Sequence, residues 1–261
     1  MTVSLERRTA LVTGASSGLG IEFARELAAR GAVLILAARS EAPMQALASE
    51  LRAAGATVHV RCVDLADAVA REAFAAQLER DGLTVDVLVN NAGFGVFGPF
   101  ADTEWERLDA MLAVDVVALT HLTRLFVPAM RSRGFGRVLQ VASTGAFQPT
   151  PTYAAYAAAK SYVLQLSHAL DVELRGTGVR CTVVSPGVTA TQFFAVAGQR
   201  PTWYQRLTRM QASTVARQGV AAMLGGRSGI ITGWANAVMA HATRLMPRGL
   251  SARVAGVLMR N

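Results

Sequence analysis

Ser143, Tyr156 and Lys160 carry the chemistry that this sequence suggests first. They lie in VLQVASTGAFQPTPTYAAYAAAK, residues 138–160, which reads as a buried strand, a Ser/Thr/Gly/Pro-rich loop and a helix starting near Thr152. Tyr156 and Lys160 are four apart, so on a helix they share one face, about 6 Å apart along the axis. Ser143 ends the strand, at the edge where open α/β sheets place ligands. A hydroxyl, a phenol and an ammonium are therefore expected at one crevice. The chain holds 25 Arg and one Lys, and that Lys is Lys160. A compact ammonium can take part in proton traffic, which a guanidinium cannot. Tyr153 is the competing phenol, but it lies seven residues before Lys160, one turn further away.

The elements that must hold these groups follow from alternating apolar runs and amphipathic stretches. Strands are predicted at Thr9–Thr13, Val33–Ala37, Val58–Val63, Val85–Asn90, Arg137–Ala142, Arg180–Val184 and Gly229–Ile231. Helices are predicted at Leu19–Arg30, Ala42–Ala54, Ala68–Arg80, Thr103–Arg131 and Tyr153–Arg175. This β-α alternation predicts a Rossmann-type, doubly wound parallel sheet of about seven strands flanked by helices. Residues 1–261 are expected to form one domain. Thr189 to Gln218 reads as an insertion, and residues 192–261 as a substrate loop with a closing C-terminal region.

The first strand ends in Thr13-Gly14-Ala15-Ser16-Ser17-Gly18-Leu19-Gly20 and a helix follows. Glycines in such a turn let a diphosphate approach the helix N-terminus, whose amides and dipole attract it. The same residues match G-x-S-x-G, a hydrolase nucleophile elbow centred on Ser16. Only one strand precedes Ser16, so no upstream loop can supply the oxyanion donor, and the elbow reading is set aside. After the second strand stands Arg39, where an acidic residue would favour a ribose 2′-hydroxyl. Arg there suits a 2′-phosphate, so NADP(H) is favoured with NAD(H) as the alternative. Asp64-Leu65 and Asn90-Asn91-Ala92-Gly93 close the third and fourth strands, where an adenine and its ribose would lie. Asp64 could instead cap the next helix.

In this order, these motifs resemble the short-chain dehydrogenase/reductase family over roughly residues 7–191, with Ser185-Pro186-Gly187 and Thr191 completing the set. The resemblance implies hydride transfer between a nicotinamide and a carbonyl or alcohol. It implies Tyr156 as general acid or base, Lys160 favouring phenolate and holding the nicotinamide ribose, and Ser143 bonding the substrate oxygen. Pro186, Gly187, Thr189 and Thr191 would fix the nicotinamide. One position departs from the family: Asp115 stands where Asn is usual, so a negative charge near Lys160 should leave the Tyr156 pKa less depressed. That departure keeps a second reading in view, a catalytically weak dinucleotide-binding regulatory protein.

Bulk properties set the partners. The chain is 52% hydrophobic, with no run of 18 uninterrupted apolar residues, which predicts a soluble protein of the cytoplasm. Cys62 and Cys181 read as buried core thiols in a reducing compartment, and no metal-ligand spacing occurs. After Glu173 come 11 Arg and no acid, against 15 basic and 18 acidic groups before it. The Arg residues are spread out and not interleaved with aromatics, so no nucleic acid is expected, while a weak membrane-surface contact remains open. Trp234 to Arg260, with Arg244, Arg248 and Arg253, reads as a pocket cover, a subunit contact or a peripheral membrane helix. Phe94, Phe97, Phe100, Phe147, Tyr153, Phe193, Phe194, Trp203 and Tyr204 would rim a cleft for a small apolar carbonyl or alcohol. A homo-oligomer is expected, a dimer or a tetramer, although the C-terminus lacks the Gly-Gly ending of tetrameric relatives.

Overall fold

The computed structural model describes residues 3–259; the side chains of Tyr204 and Arg244, and all of Arg260, lie outside that description. Seven strands form one parallel sheet: β1 Thr9–Thr13, β2 Val33–Ala38, β3 Val58–Cys62, β4 Val87–Asn90, β5 Gly136–Val141, β6 Val179–Ser185 and β7 Gly229–Ile231. Their order is β3-β2-β1-β4-β5-β6-β7. The chain starts at β1, winds one way to β3, then crosses back to β4, so the switch point lies between β1 and β4. There Leu11 pairs with Leu88 and Val12 with Val89. The central strands are continuous apolar runs because helices cover both of their faces.

The helices are α1 Gly18–Ala28, α2 Glu41–Ala53, α3 Ala68–Arg80, α4 Trp105–Leu112, α5 Leu119–Ser132, α6 Ala154–Glu173, α7 Phe193–Ala197, α8 Trp203–Leu207, α9 Ala212–Leu224, α10 Trp234–Ala242 and α11 Arg248–Met259. One apolar core joins β1, β2 and β5 to α1, α2 and α9, through Phe23, Leu27, Met44, Val220 and Met223. A second, on the opposite face, packs Phe74, Leu78, Leu122 and Met130 against Leu11, Leu88 and Val138.

Three sequence expectations change. The stretch Thr189 to Gln218 is not all insertion: from Ala212 it is α9, whose Val215, Ala216 and Val220 are fully buried. Small residues let α9 lie close to α1; a Cβ on Gly219 would touch the Phe23 ring at 3.3 Å. The helix expected over Thr103–Arg131 is continuous but not regular, because Ala113–Ala118 widens into a π-helical segment between α4 and α5. This helix, Trp105–Ser132, is long and apolar enough to cross a membrane, yet here it packs on the sheet and α6. Cys62 is exposed rather than buried, since it closes the edge strand β3, whose burial fades toward its end. Cys181, on inner strand β6, is buried as expected.

Candidate active site

The carboxyl ends of the strands open into a cavity of about 710 Å³. At its β1 end Gly14, Ser16, Ser17, Gly18 and Leu19 line the wall. Ser17 precedes α1 in extended backbone with no side-chain cap bond, and the first turn holds no acid, so the helix amides are left for an anion. Gly20 does not reach the cavity. A Cβ there would run into the Gly14 carbonyl oxygen and lie 2.8 Å from Asn91 Nδ2, so Gly20 lets the turn close on itself.

Thr13 is a residue the sequence reading passed over. Its Oγ1 donates to Val89 O (3.2 Å) and accepts from Asn91 N and Ala92 N, both at 3.0 Å. Asn91 Nδ2 returns a bond to Thr13 O at 2.9 Å. The two strand ends at the switch point are thus sewn together before any ligand arrives. A threonine inside a glycine motif carried no signal beyond β propensity, so this role had to await the register.

Arg39, Asp64, Leu65, Ala92 and Gly93 line the same end. Arg39 is exposed, and among the described residues its guanidinium makes no ion pair or hydrogen bond. Asp64 does not cap α3. Its Oδ1 accepts from Ala66 N at 3.0 Å, while Asp67 caps the helix by accepting from Val69 N and Ala70 N. Beneath this loop the buried Arg71 donates to Leu65 O and Ala66 O, and to His121 Nδ1 at 3.1 Å. Arg71 was not singled out from sequence, where it looked like any helical arginine.

At the other end Ser143, Tyr156 and Lys160 meet the cavity together with Pro186, Gly187, Thr189 and Thr191. Ser143 Oγ accepts from Gly145 N at 3.1 Å, which leaves its proton free to point elsewhere. Thr144 N donates to Pro186 O (2.8 Å), tying the Ser143 loop to the segment after β6. Tyr156 packs on a cluster of Val96, Leu108 and Met111 and against the Phe193 ring, 5.3 Å between centroids. Tyr153 is no rival: its hydroxyl donates to Gln199 Oε1 at 2.9 Å.

Asp115 lies behind the wall rather than on it. It is fully buried in the π-helical segment, with Oδ2 2.9 Å from Lys160 Nζ. Its Oδ1 accepts from Phe94 N at 2.9 Å. The extra residue in a π turn shifts side chains out of helical register, a common device at functional sites. Gly93 makes room, since a Cβ there would come within 2.7 Å of Asp115 Oδ1. Lys160 also donates to Val141 O at 3.1 Å.

Burial pushes the Asp115 carboxyl above its ordinary range, against the pull of the Lys160 ammonium and the Phe94 amide. The Tyr156 phenol is pushed up as well, first by burial and then by the Asp115 charge, with the Ser143 hydroxyl opposing. Among the described residues no cluster of His, Cys, Asp and Glu could hold a metal ion. Of the aromatics expected at the rim, Phe94, Tyr153, Phe193 and Phe194 line the cavity; Phe97, Phe100, Phe147 and Trp203 do not. Phe97 instead packs on Tyr153, and Phe100 is exposed.

Comparison with known proteins agrees with this architecture. The short chain dehydrogenase family model matches residues 8–201. The chain belongs to the short-chain dehydrogenase/reductase family, whose members are NAD(P)-dependent enzymes. It is 36% identical over 188 residues to the probable oxidoreductase EphD of Mycobacterium tuberculosis, covering 72% of this chain and 32% of that one. It thus spans about a third of that relative's length. A short-chain dehydrogenase from Sphingobium yanoikuyae in complex with NADPH superposes with TM-score 0.82 at 29% identity, covering 93% of this chain and 94% of that one. A short-chain dehydrogenase/reductase from Burkholderia phymatum in complex with NAD gives TM-score 0.82 at 27% identity, covering 92% and 93%.

Proposed function

We propose that this chain is an NADP(H)-dependent oxidoreductase that interconverts an apolar carbonyl compound and its secondary alcohol. What carries the reading is that one cavity joins an uncapped, glycine-lined helix start and the unengaged Arg39 to Ser143, Tyr156 and Lys160. The residues present fit the dinucleotide: Gly14 to Leu19 would take its diphosphate and Arg39 its 2′-phosphate. Asp64, Leu65, Asn91, Ala92 and Gly93 would flank the adenine half, and Pro186 to Thr191 the nicotinamide. When bound, the cofactor supplies or accepts the hydride. The NADPH complex of the Sphingobium yanoikuyae relative supports this choice, and the NAD complex from Burkholderia phymatum keeps NAD(H) as the alternative.

The chain's own residues handle the proton. Ser143 would donate to the substrate oxygen and stabilise the charge that develops there. Tyr156 would pass its proton to that oxygen in reduction and take one in oxidation. Burial and the Asp115 charge push the Tyr156 phenol up, which favours its protonated form, the form that donates in carbonyl reduction. Lys160, held by its ion pair with Asp115 and its bond to Val141 O, would donate to the ribose. Phe94, Phe193, Phe194 and Met246 exclude water around the reacting carbon, and residues 192–261 close this side of a single catalytic unit. The free thiols Cys62 and Cys181 suit the cytoplasm. Trp105 and Val117, exposed along α4 and the π-helical segment, offer a face to a second copy.

Titration of the protein with NADPH and NADH, followed by a panel of apolar ketones, tests the reading. NADPH should bind more tightly and be consumed with a ketone, and Tyr156→Phe should bind it equally but turn over at least about a hundredfold more slowly. The Asp115 carboxylate beside Lys160 favours one second reading, a dinucleotide-binding regulator. Tight binding without turnover across the panel would select it, and no binding of either nucleotide would overturn both.

A further inference from the structure

The helices after residue 192 build the apolar mouth of the cavity. Val196 on α7, Met239 on α10 and Val254 on α11 both line it and are exposed, so they mark its rim. Around that rim each helix turns apolar side chains outward. On α10, Trp234 and Val238 sit one turn apart and are 83% and 60% exposed. On α11, Leu250, Val254 and Val257 fall at i, i+4 and i+7, one stripe, and all are exposed. Leu207 on α8 and Leu245 between α10 and α11 are 78% and 89% exposed.

The segment that builds these helices carries charge of one sign. Residues 174–261 contain 11 Arg and no Asp or Glu. Arg206, Arg209, Arg248 and Arg253 are exposed on or beside the same helices. An ordinary solvated surface mixes both signs and scatters its apolar residues singly. Apolar helix stripes framed by guanidinium groups, with a tryptophan at the edge, match the surface of an anionic bilayer.

We propose that this rim docks on an anionic membrane surface, with the cavity mouth against the acyl layer. An apolar carbonyl or alcohol dissolved in the lipid would then enter the cavity without crossing water. The docking stands independently of the oxidoreductase reading; only the delivery of substrate from lipid rests on it.

Sedimentation of the full chain with vesicles tests the docking. Phosphatidylcholine vesicles containing about 30 mol% phosphatidylglycerol should bind the protein at least about tenfold more than phosphatidylcholine alone, and less as salt rises. Trp234→Ser combined with Leu245→Ser and Val257→Ser should reduce that binding at least about tenfold. NADPH binding and turnover of a water-soluble ketone should not change, because none of the three side chains lines the cavity. Arg248→Glu with Arg253→Glu, which removes no apolar surface, should weaken vesicle binding to a similar degree. Absence of vesicle binding, or binding untouched by both variants, overturns the proposal. So does a wild-type dimer that the triple variant converts to monomer, which would assign the face to a second copy. Vesicle binding without turnover of any ketone would leave the docking standing and remove the activity.

Discussion

Replacing Asp115 by Asn tests the electrostatics of the site most directly. The carboxylate has two oxygens for two donors, Phe94 N and Lys160 Nζ, each 2.9 Å away. Asn offers one acceptor, so one donor loses its partner and the buried ammonium loses its counter-charge. Breaking a buried pair from one side costs about 3 kcal/mol or more, which should appear as a lower denaturant midpoint. The effect on Tyr156 has a definite sign. Asp115 is the second cause of the raised phenol, after burial, so its removal lowers that pKa. Lys160 Nζ is 2.9 Å from the carboxylate and 5.7 Å from the centre of the Tyr156 ring, which puts the carboxylate within about 9 Å of the ring. At an effective dielectric of about 20, a unit charge within that range is worth on the order of 1 kcal/mol or more, enough to move a titration visibly. Oxidation of an alcohol needs phenolate, so the rising limb of kcat/KM against pH should move to lower pH in Asp115→Asn. The falling limb of ketone reduction, which needs the phenol, should move the same way. Profiles that superimpose to within about 0.3 would refute the reasoning, whatever happens to stability.

Arg39→Ala should weaken NADPH by about 10- to 100-fold, the worth of a charge-assisted contact, and leave NADH unchanged; competitive titration of the two nucleotides measures this. Arg71→Met should instead weaken both nucleotides alike, by roughly tenfold, because it leaves the Leu65 and Ala66 carbonyls unsupported and loosens the loop that both would share. Gly20→Ala should lose both nucleotides and lower stability by about 2 kcal/mol or more in denaturant unfolding, since its Cβ has no space beside Gly14 and Asn91.

Most of the sheet was legible because its strands are buried on both faces and so read as short, unbroken apolar runs. Thr9–Thr13 and Gly229–Ile231 fall where the periodicity put them, and the others differ by a residue or two at their ends. The glycine turn, Arg39 and the Tyr156–Lys160 spacing were legible because each is local: a strand end, a helix start, one helix face. What escaped depends on contacts distant in sequence. Helix α9 was hidden by its small residues and by the irregular stretch before it, and only its fit against α1 reveals it as a core element. Gln199 as partner of the Tyr153 hydroxyl lies 46 residues away, and Thr13 bonds to residues 76 to 79 positions on. Nothing in either local sequence announces such pairs. Helical periodicity also cannot show a π turn, because one extra residue in Ala113–Ala118 leaves the apolar pattern on both sides intact.

That π turn joins two motifs that the sequence presents separately. Asn91-Ala92-Gly93 closes β4 beside the glycine turn, and Lys160 follows Tyr156 on α6. Asp115 spans them, accepting from the amide just after Gly93 while holding the Lys160 ammonium. The absence of a side chain at Gly93 is a condition of that placement, since a Cβ would occupy the space of the carboxylate oxygen. A shift of the loop after β4 would therefore be felt at the ammonium, and through its charge at the phenol. In the proposed reading, one buried carboxylate bridges the loop that would flank the dinucleotide and the ammonium beside the phenol that would move the proton. A residue outside the cavity lining thus acts on Tyr156 through its charge, second only to burial, and reaches the wall through Lys160 and Phe94.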